Sequence, residues 1–501
     1  MNFSPFTFGI DGTKKLESSS VRLLKATQPC GIILFAKNIK NPSQVKGLVH
    51  HAQDILGRKL LVMIDHEGGL ICRFSQGVTH FPGNFALGKT GNASYAYRVG
   101  QIMAEELLAM GINTNLAPVL DVLVQGYNPG ITVRSFGSDP KLVAKLGKAI
   151  IQGMQDNGLS ATAKHFPGKG AATLDAHNTL PTLRQSKKVF SDRDLLPFKA
   201  AIKAGVDLVM TSHIRCPALD WRKIPATFSK KVVTNLLKTD LGFSGVTITD
   251  DLGMGAITER ATAGQASVLA AKAGHDILLV CLKNYKEAYT VYQKARDGGE
   301  ITDGAHEESL QRIRRLLNKH EKYPQLLYSS LRASSEAISS KKNPLARTIA
   351  RKSVAIVRKG QLILPIQNSS EPILCLVPDL STLKNRFVFE PGLENLPQFI
   401  DNALKKRKIK ARVITTRLDQ ETLPLPPTTD PIVFFCFNAT DYPPVKNLLN
   451  KLTAHHRDSL VTVLIRNPWD LKLIPPGVTV IDAAGFRQAQ IESALNLIFK
   501  L

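Results

Sequence analysis

Short apolar runs alternate with longer amphipathic stretches through the first 320 residues of the chain. The runs predict strands at Gly31–Phe35, Leu60–Asp65, Ile112–Asp121, Ala161–His165, Leu208–His213, Gly245–Asp250 and Asp276–Cys281. Stretches such as Leu142–Asn157 and Lys230–Thr239 carry apolar residues at helical spacing. Continuous β-branched and leucine runs separated by helices point to a parallel sheet covered on both faces. Seven or eight such units over about 320 residues fit a TIM (β/α)8-type barrel better than an open doubly wound sheet.

Polar residues collect where these strands end: Asp65, Asp121, Lys164, His165, His213, Asp250 and Asp251. One of them alone would read as a turn or helix cap. A barrel would gather all of them into one mouth at the C-terminal ends of its strands, where barrel active sites are built.

Residues 328–343 (YSSLRASSEAISSKKN) are rich in Ser and Lys and lack apolar periodicity, which predicts a linker. It would join a catalytic domain of residues 1–327 to a second domain of residues 344–501. The second domain's strands are predicted at Val354–Val357, Ile373–Val377, Val413–Thr416, Ile432–Phe437, Leu460–Ile465 and Val478–Asp482, with Pro378 marking the end of the second. This pattern reads as a three-layer α/β sandwich. It brings no dense polar constellation, and the adjacent His455 and His456 read as a solvated helix surface.

Composition narrows the class. Hydrophobic residues make up 43 % and charged residues 21 % of the 501 positions, a globular balance with ample core. No run approaches the length of a membrane span. The start, MNFSPFTFGIDGTKK, lacks a basic region followed by an apolar one, so a cytoplasmic protein is expected. The six cysteines are far apart, mostly inside apolar runs, and read as buried reduced thiols rather than disulfides or zinc ligands. The formal net charge is +24, spread along the chain: residues 341–501 hold 23 Lys and Arg against 13 Asp and Glu. Lys405–Lys410 (KKRKIK) is the one dense cluster, and no nucleic-acid module surrounds it. It reads as a solvated face, and no specific nucleic-acid or membrane partner is expected. Nothing in the sequence bears on oligomeric state.

Four segments carry candidate chemistry. In AKHFPGKGAATLDAHNTLPTL, a strand ends in Lys164–His165, a turn with Gly168 and Gly170 follows, and then Asp175-Ala176-His177. An Asp two residues before a His can hold one ring nitrogen and leave the other for proton transfer. Alone, such a triplet is weak; its place after a strand end and a glycine turn strengthens it. In GFSGVTITDDLGMGAI, an apolar strand runs into Asp250 and Asp251, one suited to nucleophilic work and the other to capping. In DHEGGLICRF, Asp65 and Arg73 could grip hydroxyl groups. NPGITVRSFGSDP carries Arg134 among turn residues. For both arginines a surface salt bridge is an equal reading.

These segments, together with CGIILFAKNI, LAPVLDV, DLVMTSHI, PATFSKKVVTNLLKTDLGFSGVTITDDLGMGAI and AAKAGHDILLV, resemble glycoside hydrolase family 3. The resemblance is to its bacterial β-N-acetylhexosaminidases of the peptidoglycan-recycling type. It runs in order through residues 30–281 and extends, less specifically, to the sandwich of two-domain members. It implies Asp250 as nucleophile, His177 as general acid/base with Asp175 as its partner, and Asp65, Arg73, Arg134, Lys164 and His165 holding an N-acetylglucosamine unit. It implies no metal and no organic cofactor. The expected substrate is a small carbohydrate or muropeptide. The chain departs from the family at Lys169, where His is usual, at Ala176, where Ser is usual, and at Leu70, where Arg is usual. The branch with this Asp-x-His motif takes its acid/base from the barrel. The second domain is therefore expected to be non-catalytic and dispensable for bond cleavage. Three other readings compete: a phosphorylase with phosphate as acceptor, a metal-dependent hydrolase using His165, His177, His213 and Asp250, and a non-catalytic sugar-binding protein.

Overall fold

The computed structural model describes residues 3–124, 128, 130–174, 179–281, 284–322, 343–366, 371–381, 395–420 and 431–499. Its first sheet consists of β1 (Ser4–Gly9), β2 (Pro29–Leu34), β3 (Leu61–Ile64), β4 (Thr114–Asn115), β5 (Ser160–Phe166), β6 (Leu208–Thr211), β7 (Val246–Ile248) and β8 (Leu278–Val280). The strands pair in parallel in the order β7-β6-β5-β4-β3-β2-β1-β8. The ring closes between β7 and β8 through an Ile248–Ile277 bridge, with Ile277 N–H donating to the Thr247 carbonyl at 2.9 Å. This is the expected barrel.

Its core follows the two-residue period of a strand. Leu61, Met63, Leu208, Met210, Val246 and Ile248 share one buried cluster, whereas the intervening Val62, Ile64 and Val209 join the layer between strands and helices. Leu310, Ile313, Leu316 and Leu317 of the helix Asp303–Lys322 belong to the inner cluster, and this helix contacts β1 and β7. The sequence pattern supplies seven of these strands. The eighth, β1, has six residues, as β2 has, and lies at the start of the chain. Its Phe6 and Phe8 are held by aromatic contacts, with the Phe6 and Tyr292 rings edge-on at 5.2 Å. The predicted strand Ile112–Asp121 forms a regular strand only at Thr114–Asn115; beyond it, a Val119–Lys164 bridge keeps the chain against β5 as it continues into the mouth.

The second sheet contains β9 (Ala355–Arg358), β10 (Ile373–Asp379), β11 (Ala411–Arg417), β12 (Ile432–Cys436), β13 (Leu460–Leu464) and β14 (Thr479–Asp482). Its order is β11-β10-β12-β13-β14-β9, parallel except for β9. All six lie where the sequence predicts strands. Pro378 stands inside β10 rather than after it. There β10 still pairs with β11, but its ladder with β12 has ended at Leu376. The expected linker falls outside the described residues except for Asn343, whose side chain caps the helix Pro344–Ser353 by accepting from Leu345 N–H at 2.9 Å. Ala346 and Ile349 of that helix are buried in the barrel's outer cluster.

All six cysteines are buried and none forms a disulfide. Lys405, Lys406, Lys408 and Lys410 are exposed, as is His455. Among the described residues no helix is long and apolar enough to cross a membrane.

Candidate active site

The C-terminal ends of β3 and β5 and two loops bring five charged side chains together. Lys164, on β5, places its Nζ 2.7 Å from Asp65 Oδ1 and 2.7 Å from Glu67 Oε1. Arg73 Nη2 lies 3.2 Å from Asp65 Oδ2. Arg134 grips Glu67 with two bonds, Nη2 to Oε1 at 2.7 Å and Nε to Oε2 at 2.9 Å. Lys164, Glu67 and Arg73 are buried, while Asp65 keeps 19 % of its side-chain surface exposed. Charges removed from water are tolerated only when paired and hydrogen-bonded this closely.

Burial alone would raise the pKa of both carboxyls, but the cations overcome it. Lys164 and Arg73 hold Asp65 below the usual carboxylate range, and Arg134 and Lys164 do the same for Glu67. Asp65, Arg73, Arg134 and Lys164 are thus brought together as the sequence suggests, and neither arginine makes a surface salt bridge. Glu67 is the residue that sequence reasoning passes over. Its position two after Asp65 was the available signal, because residues two apart in an extended segment share a face.

The loop carrying these groups turns at Gly68 and Gly69, with φ of +77° and +59°. A Cβ on Gly69 would lie 2.8 Å from the Cα of Gly83 and from the Pro82 carbonyl oxygen. Only glycine accepts both the left-handed backbone and this close approach.

A second group stands beside the first. Asp121, fully buried, accepts from His165 Nδ1 at 2.7 Å and from Lys169 N–H at 2.7 Å. Burial pushes the Asp121 carboxyl up to about 6, against the nearby Lys169. Lys169 then brings its Nζ to 4.0 Å from Asp250 Oδ2. Asp250 follows β7, is 17 % exposed, and accepts from Asp251 N–H at 2.9 Å. Asp251 takes the structural share: its carboxylate accepts from Gly253 N–H at 3.0 Å and Cys281 N–H at 2.9 Å, which fastens the turn to the end of β8. Met254, not Asp251, occupies the cap position of the following short helix. His213 lies 2.9 Å from the Asp251 carbonyl and 2.8 Å from Thr227 Oγ1, beneath that turn.

Asp175, Ala176 and His177 lie outside the described residues. The stem of their loop is described. Asn128 Nδ2 donates to the carbonyls of Lys169 and Gly170 at 2.9 and 3.2 Å, and a Cβ on Gly170 would meet the Val122 carbonyl oxygen at 1.8 Å. Among the described residues no three His, Cys, Asp or Glu side chains converge as metal ligands.

Below the loop, the buried Glu106 carboxylate accepts from Thr79 N–H at 2.9 and 3.0 Å and from Thr79 Oγ1 at 2.6 Å. Burial raises its pKa from 4.5 to about 7. The folded state therefore binds this proton more tightly than the unfolded chain. The resulting stability is fully present below about pH 4.5 and is lost as pH rises through about 7. Glu106→Gln keeps an acceptor and cannot charge. Its melting temperature relative to wild type is expected to rise between about pH 4.5 and about pH 7 and to level off above that, and a difference that does not vary with pH would contradict this.

The fold and the polar mouth define the class: a (β/α)8-barrel enzyme with an appended α/β sandwich. Residues 8–316 match the model of the glycosyl hydrolase family 3 N-terminal domain. A β-hexosaminidase of Hydrogenovibrio crunogenus is 39 % identical over 257 residues, covering 50 % of this chain and 71 % of that protein. β-Hexosaminidase A of Pseudoalteromonas piscicida is 32 % identical over 377 residues, covering 70 % of this chain and 62 % of that protein. Among solved structures, the family 3 β-N-acetylglucosaminidase of Paenibacillus sp. str. FPU-7 superposes with a TM-score of 0.85 at 30 % identity. It covers 98 % of this chain and 94 % of that one. The chain belongs to glycosyl hydrolase family 3.

Proposed function

We propose that this protein is a β-N-acetylhexosaminidase that releases terminal, non-reducing, β-linked N-acetylglucosamine with retention of configuration. The observation that carries the reading is the meeting, at one barrel mouth, of a partly exposed Asp250 with the paired Asp65, Arg73, Arg134 and Lys164. The names borne by its relatives and structural neighbours support the same activity and substrate class.

In this mechanism the paired network and His165 hold the sugar. An Asp250 carboxylate oxygen attacks the anomeric carbon, and His177 donates its proton to the leaving glycosidic oxygen as that bond breaks. Water then attacks the anomeric carbon, giving its proton to His177, and the Asp250 ester is released. Asp175 orients the imidazole and raises its basicity, so that the acid form exists near neutral pH. Most retaining glycosidases use a second carboxyl group in this role. The natural substrates in this reading are peptidoglycan-derived fragments, and residues 344–501 contribute no reacting group.

The test is a time course with p-nitrophenyl N-acetyl-β-glucosaminide beside the glucose analogue. A site built around the acetamido sugar is expected to prefer it by about a hundredfold or more, and equal rates would refute the assignment. Lys169, 4.0 Å from Asp250, favours one second reading, in which phosphate takes the place of water. Product analysis with and without phosphate separates the two. Free N-acetylglucosamine in both is expected, and sugar 1-phosphate would establish phosphorolysis.

A further inference from the structure

The turn between β14 and the helix Gln488–Ile498 presses onto the barrel at three points. Asp482 Oδ2 accepts from Lys89 Nζ at 2.7 Å while its Oδ1 accepts from Ala484 N–H at 2.7 Å. The Ala484 side chain is buried in the barrel's outer cluster. Arg487, only 7 % exposed, donates from Nε to the Gly69 carbonyl at 2.6 Å. The Phe486 ring centroid lies 5.8 Å from the Arg487 guanidinium carbon. The next residue of the barrel loop, Leu70, packs against the apolar cluster of the second domain.

Gly69 and Leu70 form the apex between Glu67 and Arg73. Two successive glycines leave an apex little conformational restraint of its own. Within the barrel, Glu67 N–H donates to the Ile71 carbonyl at 2.9 Å and Gly69 N–H to the Phe81 carbonyl at 2.9 Å. The Gly69 carbonyl and the Leu70 side chain are held from the second domain. Asp65, Glu67 and Arg73 flank this apex, and their geometry toward Lys164 and Arg134 depends on where it sits.

The geometry points to Arg487 as a positioning residue: it holds the Gly68–Leu70 apex so that Asp65 and Arg73 present a ready-made grip for the sugar. This rests on the proposed function for the identity of the ligand. The second domain then supplies no reacting group yet sets the affinity of the barrel site. Leu70, where the family usually has Arg, serves that contact by offering an apolar surface to the sandwich.

Arg487→Met in the full chain removes the donor and keeps the apolar stem. It is expected to raise KM for p-nitrophenyl N-acetyl-β-glucosaminide about tenfold, with kcat within about threefold of wild type. A simple loss of folded protein would lower the apparent kcat and leave KM alone. Arg487→Lys, which retains a donor, is expected to recover most of the change. Backbone hydrogen exchange at residues 66–73 should accelerate in the Met variant while β5 stays protected. Should the Met variant lose that protection, Arg487→Gln reports the same KM rise in a folded chain. A folded Met or Gln variant with KM within about twofold of wild type and unchanged exchange at 66–73 overturns the proposal. A wild-type protein without turnover on this substrate removes the functional reading instead, and exchange in the variants still decides the role of Arg487.

Discussion

Asp250→Asn is expected to lower kcat by about 10⁴-fold while the protein stays folded. The change removes a nucleophilic oxygen and its charge at nearly constant volume. The amide oxygen can still accept from Asp251 N–H, the 2.9 Å bond that Asp250 makes now. The side chain is 17 % exposed, so no fully buried packing is disturbed. Steady-state rates with the chromogenic substrate, beside a melting curve, check both halves. A variant retaining more than about a tenth of the wild-type rate would exclude Asp250 as the nucleophile. A variant that is inactive because it is unfolded would not support the assignment.

Lys164→Met should produce the largest loss of stability, about 3–5 kcal/mol. Lys164 is 2 % exposed and bonds two carboxylates at 2.7 Å each. Met replaces it at similar length but cannot pair with them, and two partly orphaned charges remain in a largely buried site. Asp65 and Glu67 have folded pKa values below their unfolded ones. Their contribution is present above the unfolded values and is lost as pH falls through the folded ones. The deficit of the variant is therefore complete near neutral pH and narrows in strong acid. Denaturant unfolding across that range measures it. A deficit below about 1 kcal/mol at neutral pH would mean that the network is no stronger than a surface ion pair.

The strands of the second domain and seven of the barrel strands were legible because a buried parallel strand writes itself as a continuous β-branched run. The polar strand ends were legible for the same reason: an Asp or Lys directly after such a run stands out. β1 was not, because Phe6 and Phe8 find their aromatic partners nearly 300 positions away, in Tyr292 and Tyr285. Glu67 was not, because its worth lies in Arg134 and Lys164, which come from a distant turn and from β5. The Gly68–Gly69 turn was visible as a turn. That its carbonyl meets Arg487, 418 residues further on, was not. The departures at Leu70 and Lys169 acquire a meaning only from their surroundings, an apolar domain contact for one and the neighbourhood of Asp250 for the other.

The sequence by itself determined the two α/β units, the parallel barrel and the chemical types set at its mouth, because strand periodicity and strand-end polarity are local properties of a chain. Only the tertiary structure decided which charges meet, which of Asp250 and Asp251 is tied into a turn, and that the second domain reaches the loop between Asp65 and Arg73. Ion pairing and burial depend on distances in space between segments far apart in the chain, and no local pattern encodes those distances.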